Sequence, residues 1–287
     1  QGEITRSFLS RMITRLESEQ SVKEYLDIMD HRKTEQLIDT LDKVEQNRKE
    51  CYIREFSIEH FHDSKVFETL IPKICKIFRE ENEELTGFEN EEILAEYQIY
   101  KTPGYVYMKG NVQIYSAGKQ AADISAFPEG IAVAVGSEED VPDICPDQTI
   151  DKVFTIENLT SFYRFKQEHS LVIYLGGYHN RSRRNLLMQI YQKLPDAQYY
   201  HFGDLDAGGF YILEHLKRKT GIPFQMFQMD IETLKKYEDY AKPLTENDKK
   251  RLMQLEKMEL PDEERKLITY MLQKGIKLEQ ECISESQ

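Results

Sequence analysis

Apolar residues follow two regimes along the chain. Over residues 4–50 they recur mostly at three- and four-residue spacing (Phe8, Met12, Leu16, Val22, Leu26, Met29, Leu37, Leu41 and Val44) in a heavily charged background. That pattern predicts amphipathic helices forming an arm rather than a core, packed on a partner or on each other. Residues 52–61 are rich in aromatic and β-branched types, and residues 66–81 return to the helical period with Asp63 or Ser64 as the expected cap. A short helix is predicted around 91–97. Strand-like runs at 105–109 and 112–115 flank Gly110-Asn111, a pair that predicts a hairpin. Helices followed by a hairpin make residues 51–148 a winged-helix-like module plus a connector, with one apolar strand at 130–135 between Pro128 and Pro142.

From residue 149 the pattern changes. Strands are predicted at 152–156, 171–175, 198–202 and 224–229, alternating with helices at 159–166, 182–194, 209–220 and 231–240. Short apolar strands alternating with amphipathic helices imply a parallel α/β sheet with right-handed crossovers. In such sheets ligands bind beyond the carboxyl ends of the strands. The expected organisation is a helical arm over 1–50, the module and connector over 51–148, and an α/β domain with C-terminal helices over 149–287.

The candidate chemistry sits at those strand ends. The apolar run Tyr199-Tyr200-His201-Phe202 stops at Gly203-Asp204-Leu205-Asp206, and Gly208-Gly209 opens a helix. On a strand, residues i and i+2 point the same way, so Asp204 and Asp206 can offer two hard carboxylates to one volume. The glycines leave room for a phosphate backbone, and the helix start offers unpaired N–H groups. A calcium loop does not fit, because the fifth and twelfth places counted from Asp204 hold Gly208 and His215. Glu157 follows the 152–156 strand at the same kind of edge. Alone it reads as an acid favoured by a helix N-terminus; with the aspartates it completes a three-carboxylate site for Mg²⁺ or Mn²⁺. Between them, His179, Arg181, Arg183 and Arg184 occupy another strand-to-helix turn and suit phosphate oxygens, a solvated helix face being the alternative.

Composition restricts the partners. The 287 residues carry a formal net charge of -13, so a nucleic-acid partner requires a local basic patch such as this arginine cluster. Cys51, Cys75, Cys145 and Cys282 lack zinc-site spacing and fit reduced thiols. No apolar run is long enough to span a bilayer and no signal-peptide pattern opens the chain, so no membrane partner and a cytoplasmic location are expected. The first residue is Gln1, which is read as a trimmed or processed start.

A glutamate after one strand and Asp-x-Asp plus glycine after a later one resembles the Toprim fold of topoisomerases, primases and related nucleases. Four blocks narrow the resemblance: Phe61-His-Asp-Ser-Lys65, Thr155-Ile-Glu-Asn-Leu-Thr-Ser-Phe162, Leu175-Gly-Gly-Tyr-His-Asn180 and Phe202-Gly-Asp-Leu-Asp-Ala-Gly-Gly-Phe210. Together they look like the JetD family, the nuclease subunit of the bacterial Wadjet anti-plasmid system, itself similar to the A subunit of topoisomerase VI. The resemblance implies a winged-helix CAP-type domain before Toprim and a homodimer placing two sites across double-stranded DNA. It also implies an SMC-like motor, a kleisin and an accessory subunit as partners. Glu157, Asp204 and Asp206 take the family's metal-binding, catalytic positions, and Lys65 is an upstream DNA contact. Family members usually carry a longer N-terminal arm. The nucleophilic tyrosine of topoisomerase VI is expected near Arg54-Glu55-Phe56-Ser57-Ile58, where no tyrosine stands after Tyr52. The reading is therefore a hydrolytic Mg²⁺- or Mn²⁺-dependent endonuclease, with Glu55 and Glu59 as accessory acids reaching across the dimer. The alternatives are a transesterase using another of the seventeen tyrosines, or a non-catalytic DNA-binding adaptor.

Overall fold

The computed structural model describes residues 2–82, 85, 88–101, 104–116, 118–135, 142–176 and 181–283, with backbone alone at 104, 135, 181 and 182. Contacts divide the chain into two units, Gln1–Pro103 and Gly104–Gln287.

In the first unit the predicted arm is part of a core. Helices α1 (Glu3–Glu17) and α2 (His31–Gln46) bury Phe8, Met12, Leu37, Leu41 and Val44. The carboxylate of Glu45, near the end of α2, accepts from the N–H groups of Ile4 at 2.8 Å and Thr5 at 2.9 Å. It thereby satisfies donors that the start of α1 cannot pair within its own helix. Next come β1 (Cys51–Tyr52), α3 (Ile53–Phe61), α4 (Val66–Glu81), α5 (Asn90–Glu96) and β2 (Ile99–Tyr100), which pairs parallel with β1. Arg11 of α1 bridges to Glu81 at 2.5 Å and to Glu80 at 2.9 Å, both on α4. The aromatic stretch after Tyr52 is helical because Glu55 accepts from the Tyr52 N–H at 2.8 Å, closing a helix start, while Ile53 and Phe56 turn inward. The expected Asp63 or Ser64 cap of α4 does not form. Lys65 holds the cap position, and Asp63 instead accepts from the Lys65 N–H at 2.7 Å.

The second unit runs β3 (Gly104–Lys109), β4 (Val112–Ser116), β5 (Lys119–Asp123), β6 (Ile131–Val135), β7 (Asp143–Pro146), β8 (Lys152–Ile156), α6 (Leu159–Arg164), β9 (Ser170–Tyr174), α7 (Arg181–Lys193), β10 (Gln198–Phe202), α8 (Ala207–Thr220), β11 (Gln225–Met226), α9 (Ile231–Lys236), β12 (Lys242–Pro243), α10 (Glu246–Leu255), α11 (Asp262–Lys274) and β13 (Ile276–Lys277). Six strands form one sheet in the order β11-β10-β8-β9-β3-β6, parallel from β11 to β9 and antiparallel across β3 and β6. Strand alternation feeds two cores. Val153, Leu171, Ile173 and Tyr199 pack with Leu186, Ile190 and Leu213 on one side. Phe154, Ile156, Val172 and Phe202 pack with Phe162, Leu267, Ile268 and Met271 on the other. Burial on both faces explains why these strands read as continuous apolar runs. Lys217 pairs with Glu214 at 2.8 Å and with Glu264, fastening α8 to α11.

The predicted hairpin at Gly110-Asn111 is not one. β3 lies between β6 and β9, whereas β4 belongs to a separate three-stranded sheet with β5 and β7. A tight two-residue hairpin of this kind needs positive φ at both turn residues, and here Gly110 alone has it, at 138°. The Gly110 backbone also passes so close to β9 that a Cβ would stand 2.5 Å from the Ser170 carbonyl oxygen. β3 and β6 therefore extend the C-terminal sheet instead of forming a wing with β4. Among the described residues of the first unit the only strands are the two-residue β1 and β2, so no wing is formed there.

Candidate functional site

From central β8 the chain goes to β9 on one side, then crosses back to β10 on the other. The crevice where the connections diverge lies at the carboxyl ends of β8 and β10, the place where open α/β sheets bind ligands. Ile156 and Phe202 are paired there, and one further bond, from Glu157 N–H to the Phe202 carbonyl at 3.0 Å, carries the ladder past the strand ends. Glu157 and Asp204 thus leave the sheet side by side. The Glu157 Oε2 accepts from the Asp204 N–H at 3.3 Å. Asp206 stands at the N-cap of α8 and accepts from Gly209 N–H at 3.0 Å, while Asp204 Oδ1 accepts from Gln280 N–H at 2.7 Å. The three carboxylates share one sheet edge and each is half-buried. Among the described residues, no three His, Cys, Asp or Glu side chains close into a metal-holding cluster.

Acids predominate at this edge, with Lys242 paired to one of them, Glu279, at 2.5 Å. Burial raises the Asp204 carboxyl from the ordinary 3.8 to about 6, against the pull of the Gln280 N–H, and the carboxylates of Asp206, Glu281 and Glu279 push it the same way. The donor set of hard oxygens with excess negative charge fits Mg²⁺ or Mn²⁺ rather than a softer metal. Two glycines make the packing feasible. A Cβ on Gly203 would stand 2.7 Å from Glu157 Oε2 and 2.8 Å from His201 Nε2, and one on Gly209 would stand 2.2 Å from the Asp204 carbonyl oxygen. His201 is fully buried beneath them, its Nδ1 2.9 Å from Thr155 Oγ1, and burial lowers it to about 3, which keeps it neutral.

The C-terminal segment completes the edge, and sequence reasoning passes over it. Leu205 and Leu278 exchange backbone bonds of 2.9 and 3.1 Å. Gln280, wholly buried, donates from Nε2 to the Phe202 carbonyl at 2.9 Å and accepts from Asn158 N–H at 2.8 Å, tying both strand ends together. Glu281 accepts from Asn158 Nδ2 at 2.5 Å. Glu279-Gln280-Glu281 follows no period and matches no motif; only its acidity soon after an amphipathic helix marks it in the sequence.

The predicted basic cluster is divided. Arg183 is turned inward, donating to the carbonyls of Leu175 at 2.6 Å and Tyr105 at 3.4 Å, so it braces the loop after β9. Arg184 is half-buried, and its charge adds to the burial that lowers His215 to about 3. Arg181 opens α7 with its side chain outside the described residues, as is the whole of His179. In the first unit Lys65, Glu55 and Glu59 are exposed.

A mixed α/β unit with carboxylates gathered at its crevice is the class that this geometry defines. Residues 139–287 match the family described as Wadjet protein JetD, C-terminal. The chain is 28% identical over 263 residues to the Wadjet protein JetD of Bacillus cereus (strain Q1), covering 90% of this chain and 63% of that protein. The chain belongs to the JetD family. No helix among the described residues is long and apolar enough to cross a membrane.

Proposed function

We propose that this chain is a Toprim-type, metal-dependent endonuclease for double-stranded DNA, working as a homodimer within a Wadjet-type defence complex. The partners would be an SMC-like motor, a kleisin and an accessory subunit, and the target plasmid DNA. The observation carrying the reading is that Glu157 and Asp204 leave adjacent parallel strands together, with Asp204 held up at about 6 among further acids. Asp204, Asp206 and Glu157 would hold Mg²⁺ or Mn²⁺, which when bound supplies a Lewis acid for the scissile phosphate and its leaving oxygen. Glu157 would also orient or deprotonate the attacking water, a role supported by its carboxylate lying beside Asp204, whose N–H it accepts from at 3.3 Å. Lys65, His179, Arg181 and Arg184 are the residues that would contact the DNA backbone, a role that rests on their places in the sequence.

Hydrolysis is favoured over attack by a side chain of α3. Ser57, the hydroxyl in the segment where topoisomerase VI carries its tyrosine, is buried, donates to the Asp63 carbonyl and accepts from Phe67 N–H at 3.0 Å. Mn²⁺ binding by water-proton relaxation and plasmid cleavage by the assembled complex test the proposal on the same preparations. Asp204→Ala should lose both with its melting transition retained. Wild-type binding and cleavage in Asp204→Ala and Asp206→Ala would remove the metal assignment.

A further inference from the structure

Away from the acidic edge, β7 carries Asp143 and Cys145 two residues apart and so on one side of the strand, while Ile144 and Pro146 are buried on the other. Two side chains of α7, one turn apart, hold that strand. Gln189 accepts from the Ile144 N–H at 2.9 Å, and Lys193, in the last turn, reaches Asp143 and Cys145. The Lys193 Nζ donates to Asp143 Oδ1 and stands 3.2 Å from the Cys145 sulfur, whose thiol faces Asp143 Oδ2 at 3.7 Å. The other cysteines are placed differently. Cys51 and Cys75 are buried, and burial pushes their thiols up to about 11 and about 12. Cys282 is raised by burial and by Glu279 and Glu281. Cys145 is only half-buried, with an ammonium against its sulfur. A cation in that place stabilises the negative charge that gathers on sulfur as it attacks an oxidant.

We propose that Cys145 and Lys193 form an oxidative modification site, in which hydrogen peroxide converts the pair into a sulfur–nitrogen cross-link between β7 and α7. The sulfur attacks one peroxide oxygen, the O–O bond breaks, and the departing oxygen leaves with the thiol proton as water. A sulfenic acid remains on Cys145; sulfur has given up two electrons and the peroxide has taken them. The Lys193 nitrogen, already at near-attack distance, then bonds to that sulfur as the S–O bond breaks. The hydroxyl leaves as a second water with one ammonium proton, and another ammonium proton passes to solvent. Sulfenic acids condense in this way with backbone nitrogen, and here a side-chain nitrogen stands closer to hand. Burial opposes the charge on Lys193, but its bonds to Asp143 and Cys145 outweigh burial and hold the ammonium above its ordinary range, so condensation is the slower step.

The test is to reduce the full chain, remove the reductant, add hydrogen peroxide, quench it, and then add dimedone, which traps sulfenic acids. Intact mass and proteolytic peptides are read with and without dithiothreitol. Wild type should lose two hydrogens and yield one cross-linked peptide joining the segment of Cys145 to that of Lys193, both changes reversed by dithiothreitol. Lys193→Arg keeps a cation beside Asp143 without a condensing amine, so it should stop at the sulfenic acid and be captured by dimedone at Cys145. Cys145→Ser should give neither product at this site. The cross-linked wild type should also melt several degrees higher than the reduced protein, because the new bond joins positions 48 residues apart. Dimedone capture at Cys145 of wild type with no cross-linked peptide would overturn the proposal. So would a disulfide formed from Cys145, or a Cys145 thiol that survives peroxide as long as buried Cys75.

Discussion

Asp204 keeps its proton over a range in which an exposed aspartate has lost it. The native state holds that proton up to about pH 6 and the unfolded chain only to about 3.8. Stability contributed by the group is therefore present at low pH and lost as pH rises through that window, by about 3 kcal/mol above it. Asn in its place keeps an acceptor for the Gln280 N–H and removes the charge. We predict that Asp204→Asn melts higher than wild type at pH 7 without divalent cation and shows a flatter profile between pH 4 and 6; on the metal-dependent reading, added Mn²⁺ should stabilise wild type and not the variant. A lower melting point for the variant at pH 7 would contradict the burial account. Gly203 gives a second residue-scale test. A Cβ there meets the movable Glu157 carboxylate at 2.7 Å and the buried His201 Nε2 at 2.8 Å, so Gly203→Ala should bind Mn²⁺ about tenfold more weakly, with a smaller loss of melting temperature from the imidazole. At Gly209 the obstacle is backbone, the Asp204 carbonyl at 2.2 Å, so Gly209→Ala should instead lower the melting point of the second unit. Thermal melts alongside Mn²⁺ titration distinguish displacement of a ligand from loss of fold.

Among elements, the clasp formed by residues 278–281 has the clearest energetic consequence. Gln280→Ala leaves the Asn158 N–H without its acceptor, while the Phe202 carbonyl loses one donor and keeps the Glu157 N–H at 3.0 Å, a loss of about 2 kcal/mol. Urea denaturation should show it, and hydrogen exchange should show faster exchange at Leu205, whose N–H bonds the Leu278 carbonyl at 2.9 Å. An unchanged midpoint would mean that the clasp is ornamental. The clasp also marks where sequence reading stops. Strands β8, β9 and β10 and helices α7 and α8 are legible because their alternation is imposed by burial on both sheet faces, a local consequence of a global fact. Glu157 and Asp204 are legible for the same reason, as acids that follow directly on such runs. Gln280 is not, because its role comes from bridging Asn158, Phe202 and Asp204, residues far from it in sequence. The hairpin expected at Gly110-Asn111 does not form for a related reason. A turn pair fixes only what the backbone can do, and both edges of β3 are taken by β6 and β9.

At the scale of the whole molecule, a formal net charge of -13 sets the conditions under which DNA can approach. On the nuclease reading, phosphates would meet a sheet edge where burial, reinforced by the charges of Asp206, Glu279 and Glu281, already holds Asp204 up at about 6. Inward-turned Arg183 spends donors on the carbonyls of Leu175 and Tyr105, so it offers less to DNA than its place in the sequence implies. The remaining cations must then work against a repulsive edge unless a divalent cation neutralises it. On the nuclease reading, Mg²⁺ should therefore strengthen DNA binding by about tenfold, although added salt ordinarily weakens such complexes by making counterion release less favourable. Asp204→Asn separates this from general screening. With one carboxylate removed from the edge, the variant should bind a short duplex more tightly than wild type in the absence of divalent cation, and Mg²⁺ should add little. Arg184→Ala should lower affinity under both conditions and reduce the slope of log affinity against log salt by about one, the signature of a lost phosphate contact. Fluorescence anisotropy across a salt series, with and without Mg²⁺ at matched ionic strength, measures all three. If wild type and Asp204→Asn respond alike to Mg²⁺, the cation acts on the DNA rather than at the carboxylate edge, and the edge has no part in bringing the two together.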